Sequence, residues 1–483
     1  MLFSSNIFIF AFLPFFLCIF YILPAFSRRY FVLLSGLIFF LWGAPQFFVV
    51  LLLSSIADYL ISRLFFGKSK KISLTSMIFL LLLNLGLLIY YKYTGFFTQN
   101  INQLFDFIFD GKILPDVKII LPLGISFITF HKISYIIDVY RKPQKGHGFI
   151  EYLNYIFFFP KLLSGPIQQW NDSKTDYLFT EKPSINQRLS GIFRFALGIF
   201  KKVWIANVLG VQNELLLSTG IENLSSLHLL LLIFSYSMQL LFDFSAYTDM
   251  ACGIALMLGI KLPENFNSPY AATSIREFWQ RWHISLTSWF RNYLFLPLAY
   301  RFSSKLNKDK YSGIKVDYLI YIYAVVITFL LTGLWHGAAW TFVLWGLYHA
   351  VLLSLDRLFL FKVFKKTGKL ISLIITFILV MFGWVIFIAP DVKSFILYFN
   401  NLFQFTATEL SIKPLFWITL ISATVFAFIP VHKKTELFIR KWLNTDSTAT
   451  IITLKTIIST LFLIFAMSGI AAGGFNPFIY FRF

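Results

Sequence analysis

Charge is what this sequence has least of. Only 13% of its 483 residues are Asp, Glu, Lys or Arg, while 58% are hydrophobic; ordinary soluble domains carry roughly 25% charged residues. A chain this poor in charge cannot clothe a water-facing surface, which excludes a soluble globular protein. Cysteine is nearly absent. Cys18 and Cys252 are the only two, and both lie in apolar runs, so a disulfide framework or a cysteine metal site is not supported. Both are expected to be small buried core residues. Familiar catalytic signatures are missing too: there is no Gly-x-Ser-x-Gly and no glycine-rich phosphate loop. No His-x3-His or Glu-x-x-His pattern occurs, whereas zinc wants three or four convergent ligands. No metal and no permanently bound cofactor are expected.

What the chain does have is apolar length. Phenylalanine alone contributes 61 residues, and the mean hydropathy is +0.73. Runs near the ~20 residues needed to span a bilayer recur from end to end. They are continuous rather than alternating, which argues against a β-barrel. The expected fold is all-α: a single polytopic membrane domain over residues 1–483. About eleven transmembrane helices are expected, plus re-entrant and interfacial pieces around a funnel or tunnel. The stretch MLFSSNIFIFAFLPFFLCIFYILPAFSRRY has no basic n-region and no convincing cleavage site, and reads as a retained first span.

Basic residues outnumber acidic ones by 42 to 22, a net charge of +20. They cluster in short loops between spans: Arg28-Arg29, Lys68 to Lys71, Arg141 to Lys145, Lys201-Lys202, Arg276 to Lys315, Lys362 to Lys369 and Lys433 to Lys441. This is the positive-inside pattern, so anionic membrane lipid, not nucleic acid, is the expected partner of the charge. With these loops inside, residues 30–66 form a hairpin turning at Gly43-Ala44-Pro45. Residues 74–91 lead out and 117–138 lead back. Later spans fall near 188–210, 227–259, 317–335, 338–356, 370–389, 412–430 and 451–470. Residues 149–166 are too short and too broken by Pro160, Gly165 and Pro166 for a clean span, and suit a re-entrant segment.

TSIREFWQRWHISLTSWFRNYL, residues 273–294, predicts one amphipathic interfacial helix. Ser274 and Glu277 resemble a capping box. Phe278, Trp282, Leu286, Trp289 and Tyr293 share one face. Arg276, Gln280 and Arg291 lie opposite, and His283 falls at the edge between them.

Polar groups inside apolar spans are costly and need a reason. Asp243 and Asp249 sit in LFDFSAYTDMACGIAL. They either line a cavity or pair with a cation on another helix, and a helix-locking network fits them as well as catalysis does. Residues 318–355 run without an Asp, Glu, Lys or Arg, too long for one span. They fit two spans joined around Gly333 to Ala338, with His336 at the joint, where a base can meet water or substrate. His349 reads as an ordinary buried, hydrogen-bonding histidine.

Several stretches resemble the membrane-bound O-acyltransferase family, in its bacterial branch containing the membrane subunit of alginate O-acetylation. They are FDFSAYTDMACGIALMLGI, LPENFNSPY, SIREFWQRWHISLTSWFRNYLFLPL and LTGLWHGAAWTFVLWGLYH. MLFSSNIFIFAFLPFF, PLGISFITFHKISYIIDVYR, FFPKLLSGPI and FNPFIYFRF resemble the same branch. The resemblance implies an acyltransferase in a bacterial inner membrane. It would move an acetyl group from cytoplasmic acetyl-CoA to an extracytoplasmic polysaccharide, often with a periplasmic or membrane-anchored acetyltransferase as partner. Peptidoglycan O-acetylation or teichoic acid D-alanylation are the alternatives within the family; a carrier or flippase for a lipid-linked glycan is the alternative outside it. By resemblance His336 is the catalytic residue and His283 a second important one. Arg276 and Arg281 are candidates to contact the donor's phosphates. Trp335, Asp243 and Asp249 complete the candidate substrate-binding set.

Overall fold

The computed structural model describes residues 2–109, 111, 113–115, 119–143, 148–173, 176–311, 313–404, 412–429, 449–471 and 478–479. The basic cluster Lys433 to Lys441 and most of FNPFIYFRF lie outside the described residues. Helix dominates, as it must where no water is available to satisfy backbone groups. One short hairpin, Lys310–Tyr311 with Ile314–Lys315, supplies the strands found among the described residues. Eight described helices are long and apolar enough to cross a membrane, and Phe8–Ile22 and Pro414–Phe428 are apolar but shorter.

The chain divides into two compact units. The first comprises Met1–Phe195 with Met250–Pro263. Its helices are α1 (Leu13–Ile22), α2 (Ala25–Gly43), α3 (Pro45–Phe65), α4 (Lys70–Phe109), α5 (Ile125–Arg141), α6 (Phe149–Phe157), α7 (Phe159–Leu162) and α8 (Ile185–Phe200). The α2–α3 hairpin turns at Ala44, where Pro45 cannot continue the preceding helix but starts the next one well. Helix α4 has 40 residues, about 60 Å at 1.5 Å per residue, and runs well past residues 74–91. The proposed re-entrant stretch is broken as its prolines imply, into α6 and α7, and both are buried. A buried ion pair joins the unit: Lys132 Nζ lies 3.2 Å from Asp58 Oδ2. Asn84 Nδ2 donates to Asp58 Oδ1 at 2.8 Å, and Lys132 donates to Ser54 Oγ at 2.7 Å. Cys252 is buried, but Cys18 is exposed. The expectation for Cys18 fails because lipid-facing and core-facing thiols look alike within an apolar helix.

The second unit comprises Ala196–Asp249 with Glu264–Phe483. Its helices are α9 (Asn207–Ser218), α10 (Ser226–Met257, which also enters the first unit), α11 (Ile275–Arg281), α12 (Ile284–Phe290), α13 (Leu296–Ser303), α14 (Val316–His336), α15 (Trp340–Leu355), α16 (Phe361–Thr367), α17 (Lys369–Ile388), α18 (Val392–Leu402), α19 (Pro414–Phe428) and α20 (Ala449–Ala471). Helices α14 and α15 form a tight antiparallel hairpin. A Cβ on Gly333 would collide with the Phe342 carbonyl, and one on Gly346 with that of Phe329. Glycine at both positions lets the two backbones touch, as membrane helix packing favours. The hairpin bends at Gly337–Ala339, which leaves His336 as the last residue of α14.

Candidate active site

The interfacial segment is not one helix. It breaks between α11 and α12 at His283, whose backbone is left-handed, φ 44° and ψ 52°. A residue other than glycine in that region is uncommon and carries strain that the surroundings must hold. The surroundings here are Asn265 and its neighbours. Asn265 O accepts from Ile284 N at 2.9 Å, and Asn267 N donates to Arg281 O at 2.9 Å. Asn265 Oδ1 accepts from Ser285 N at 3.1 Å. The capping box at the start of α11 forms one residue wider than its pattern: Glu277 N donates to Ser274 Oγ, while Glu277 Oε2 accepts from Thr273 N. The face assignment holds across the break. Phe278, Trp282, Leu286, Trp289 and Tyr293 are buried, and Arg276, Gln280 and Arg291 are exposed.

The break turns His283 inward. It is 1% exposed, not at a solvated edge, because the left-handed residue redirects its side chain out of the helical register. Burial holds its imidazole down to a pKa of about 3, so it is neutral. Its ring lies 4.7 Å from that of Phe244 and 6.3 Å from Trp335. Trp335 lies in turn 4.8 Å from the ring of His336. His336 is buried and edged by Trp345 at 5.0 Å and Phe387 at 5.3 Å. Two imidazoles thus meet one indole inside an aromatic box.

The membrane-bound O-acyltransferase family model matches residues 58–369, which include both histidines and everything between them. The chain belongs to the membrane-bound O-acyltransferase family. It is 35% identical over 400 residues to a probable alginate O-acetylase, AlgI, of Azotobacter vinelandii, covering 81% of this chain and 76% of that protein. It is 32% identical over 433 residues to a peptidoglycan O-acetyltransferase of Helicobacter pylori, covering 82% and 78%. A teichoic acid D-alanyltransferase of Bacillus subtilis is 33% identical over 288 residues, covering 56% and 70%. The protein is therefore a multi-pass membrane acyltransferase.

This O-acyltransferase ties up most of its other charged candidates. Lys202 Nζ lies 2.6 Å from Asp243 Oδ1, and Ile479 N donates to Asp243 Oδ2 at 2.6 Å. Lys201 Nζ lies 2.7 Å from Asp249 Oδ2. Both lysines belong to a π-helical stretch, Lys201–Ala206, and such stretches recur at special sites within helices. The helix-locking alternative for the two aspartates thus has its partners. Arg281 pairs with Glu277 at 2.8 Å and with the Asn267 carbonyl at 3.2 Å. Arg276 is exposed; its backbone N–H donates to Asp356 Oδ2 at 2.9 Å, and its charge also acts on that carboxylate.

His349 departs from expectation. It is fully buried, but neither ring nitrogen has a hydrogen-bond partner among the described residues. Its neighbours are rings: Trp345 at 4.8 Å, Trp279 at 5.0 Å and Tyr348 at 5.3 Å. The apolar periodicity around it gave no sign that aromatic edges, not hydrogen bonds, would surround it. Asn265 and the left-handed turn also escaped the sequence. LPENFNSPY was visible as a motif, but nothing local says that its asparagine reaches the His283 turn.

Proposed function

We propose that this protein is a membrane-bound O-acetyltransferase that takes acetyl groups from cytoplasmic acetyl-CoA, with a cell-surface polysaccharide of alginate-like type as the acceptor. The reading assigns the protein to a bacterial inner membrane. The observation that carries it is the aromatic box in which His336 and His283 share Trp335. His336 is the base: it takes the proton of an acceptor hydroxyl as that oxygen attacks the thioester carbonyl. The departing thiolate then takes the proton back from the imidazolium. His283 and Trp335 orient the acyl donor, and Arg276 offers its exposed guanidinium to the phosphates of the carrier. Arg281 supports the same segment through its pair with Glu277. Asp243 and Asp249 hold the box by their lysine pairs.

The peptidoglycan O-acetyltransferase relative favours a second acceptor, the cell-wall glycan. Both acceptors leave the donor half of the reaction unchanged. Purified protein incubated with acetyl-CoA and alginate oligosaccharide is expected to release thiol, and His336→Ala to lose about 10²–10⁴-fold of that rate, the usual share of general base catalysis. Wild-type rates in a well-expressed His336→Ala protein would refute the assignment. Ester-linked acetate on cell-surface fractions, compared with and without the protein, identifies the acceptor.

A further inference from the structure

Asn265 does more than close a turn. The residue is 2% exposed. Its Oδ1 accepts two hydrogen bonds from one residue, Ser285 N at 3.1 Å and Ser285 Oγ at 2.6 Å. Its backbone oxygen accepts from Ile284 N at 2.9 Å. These are the two residues that follow His283. A backbone N–H can only donate, so the atom it meets on Asn265 is the oxygen, and the other end of the amide is the NH2. That NH2 is buried and has no hydrogen-bond partner among the described residues. A buried amide donor left unmet is costly and rare in native proteins. It stands beside a second rarity, the left-handed histidine, and strained backbone concentrates at functional sites.

Resting on the acyl-transfer reading above, we propose that Asn265 is a catalytic residue whose Nδ2–H donates to the carbonyl oxygen of the bound acyl thioester. Its Oδ1 and backbone oxygen meanwhile fix His283 in the left-handed turn. The step balances without a further reactant. The acceptor oxygen forms a bond to the acyl carbon, and its proton passes to His336. The carbonyl π electrons move onto the oxygen, where Nδ2–H meets the developing charge. When the C–O double bond re-forms, the C–S bond breaks, and the thiolate leaves with the proton from His336. Ester and free thiol are the products.

The test uses three variants of the full-length protein in detergent, assayed with acetyl-CoA and alginate oligosaccharide at pH 8. Asn265→Asp keeps an oxygen for Ser285 and removes the donor. It is expected to lower kcat about 10²–10³-fold, the usual cost of one oxyanion donor, with KM for the thioester little changed. The backbone amide of Ser285 should exchange with deuterium as slowly as in the wild type. Asn265→Ala removes donor and clamp together, so kcat falls and Ser285 exchange accelerates. Ser285→Ala loosens the clamp but keeps the donor, and is expected to lose less than tenfold in kcat. Asn265→Asp with kcat within twofold of wild type overturns the donor role. So does a Ser285→Ala loss equal to that of Asn265→Ala. Unchanged Ser285 exchange in Asn265→Ala overturns the positioning role. A wild-type protein that releases no thiol overturns the acetyl-CoA reading and the donor role with it, while Ser285 exchange still decides the positioning role.

Discussion

His283 stands 6.3 Å from Trp335, ring centroid to ring centroid, and Trp335 stands 4.8 Å from His336. The indole is thus the wall that both imidazoles share, and it sets where each can point. Removing it leaves the histidines in place but frees their rings. A displacement of about 1 Å at a reacting group can cost ~10²-fold in rate. Trp335→Ala is therefore expected to lose about that much kcat in thiol release, and Trp335→Phe much less. Equal rates for wild type and Trp335→Ala would show that the wall does not position the base.

Burial depresses the His283 pKa to about 3, and this has a consequence for stability. Above pH ~6.5 the imidazole is neutral in both folded and unfolded chains, and its titration contributes nothing. Between pH ~6.5 and about 3 the unfolded chain binds a proton that the folded chain refuses. Stability then falls with falling pH, by up to about 1.4 kcal/mol per pH unit from this group. Asparagine tolerates the left-handed region and does not titrate. His283→Asn is thus expected to flatten the decline of Tm between pH 6 and 4, measured side by side with the wild type in one detergent. Parallel Tm curves for the two proteins would contradict a neutral, buried His283.

Lys202 and Asp243 are both nearly inaccessible, at 2% and 3% side-chain exposure. Breaking a buried pair by removing one partner strands the other charge, typically at about 3–5 kcal/mol, whereas replacing both with apolar groups is often neutral. Lys202→Met is expected to destabilise by that amount, and Lys202→Met with Asp243→Leu to recover most of it. Thermal unfolding in detergent reads both. A double variant as unstable as the single would mean that Asp243 serves the structure through Ile479 more than through the lysine.

The all-helical membrane class was legible in the sequence because hydropathy over long windows reports directly on the solvent that each segment meets. The joint at His336 was legible because 38 uncharged positions are too many for one span. The His283 turn was not. Its amphipathic face reads as one helix, and the break depends on Asn265 arriving from outside the segment, a tertiary contact with no local signature. The partners of Asp243 and Asp249 were legible only as a demand. Carboxylates within an apolar helix must be met, but which lysines meet them depends on a π-helical stretch that nothing in KKVWIA announces. His349 shows the opposite limit: its sequence surroundings do not reveal whether a histidine's neighbours are donors or ring edges.

The α14–α15 hairpin that carries His336 depends on missing atoms. A Cβ at Gly333 would overlap the Phe342 carbonyl oxygen, which is backbone and cannot rotate away, whereas a Cβ at Gly86 in α4 would meet nothing within 4 Å. Overpacking a tight contact typically costs about 1–3 kcal/mol, occasionally more. Glycine to alanine at an open helical position instead gains a few tenths to about 1 kcal/mol in propensity. Gly333→Ala is expected to lower Tm and, by prising the hairpin apart next to His336, to lower kcat more than it raises KM. Gly86→Ala is expected to leave activity unchanged and Tm equal or slightly higher. The pair controls for helix propensity, since both positions are helical. A Gly333→Ala protein with wild-type Tm and kcat would mean that the two backbones are not in contact at this crossing.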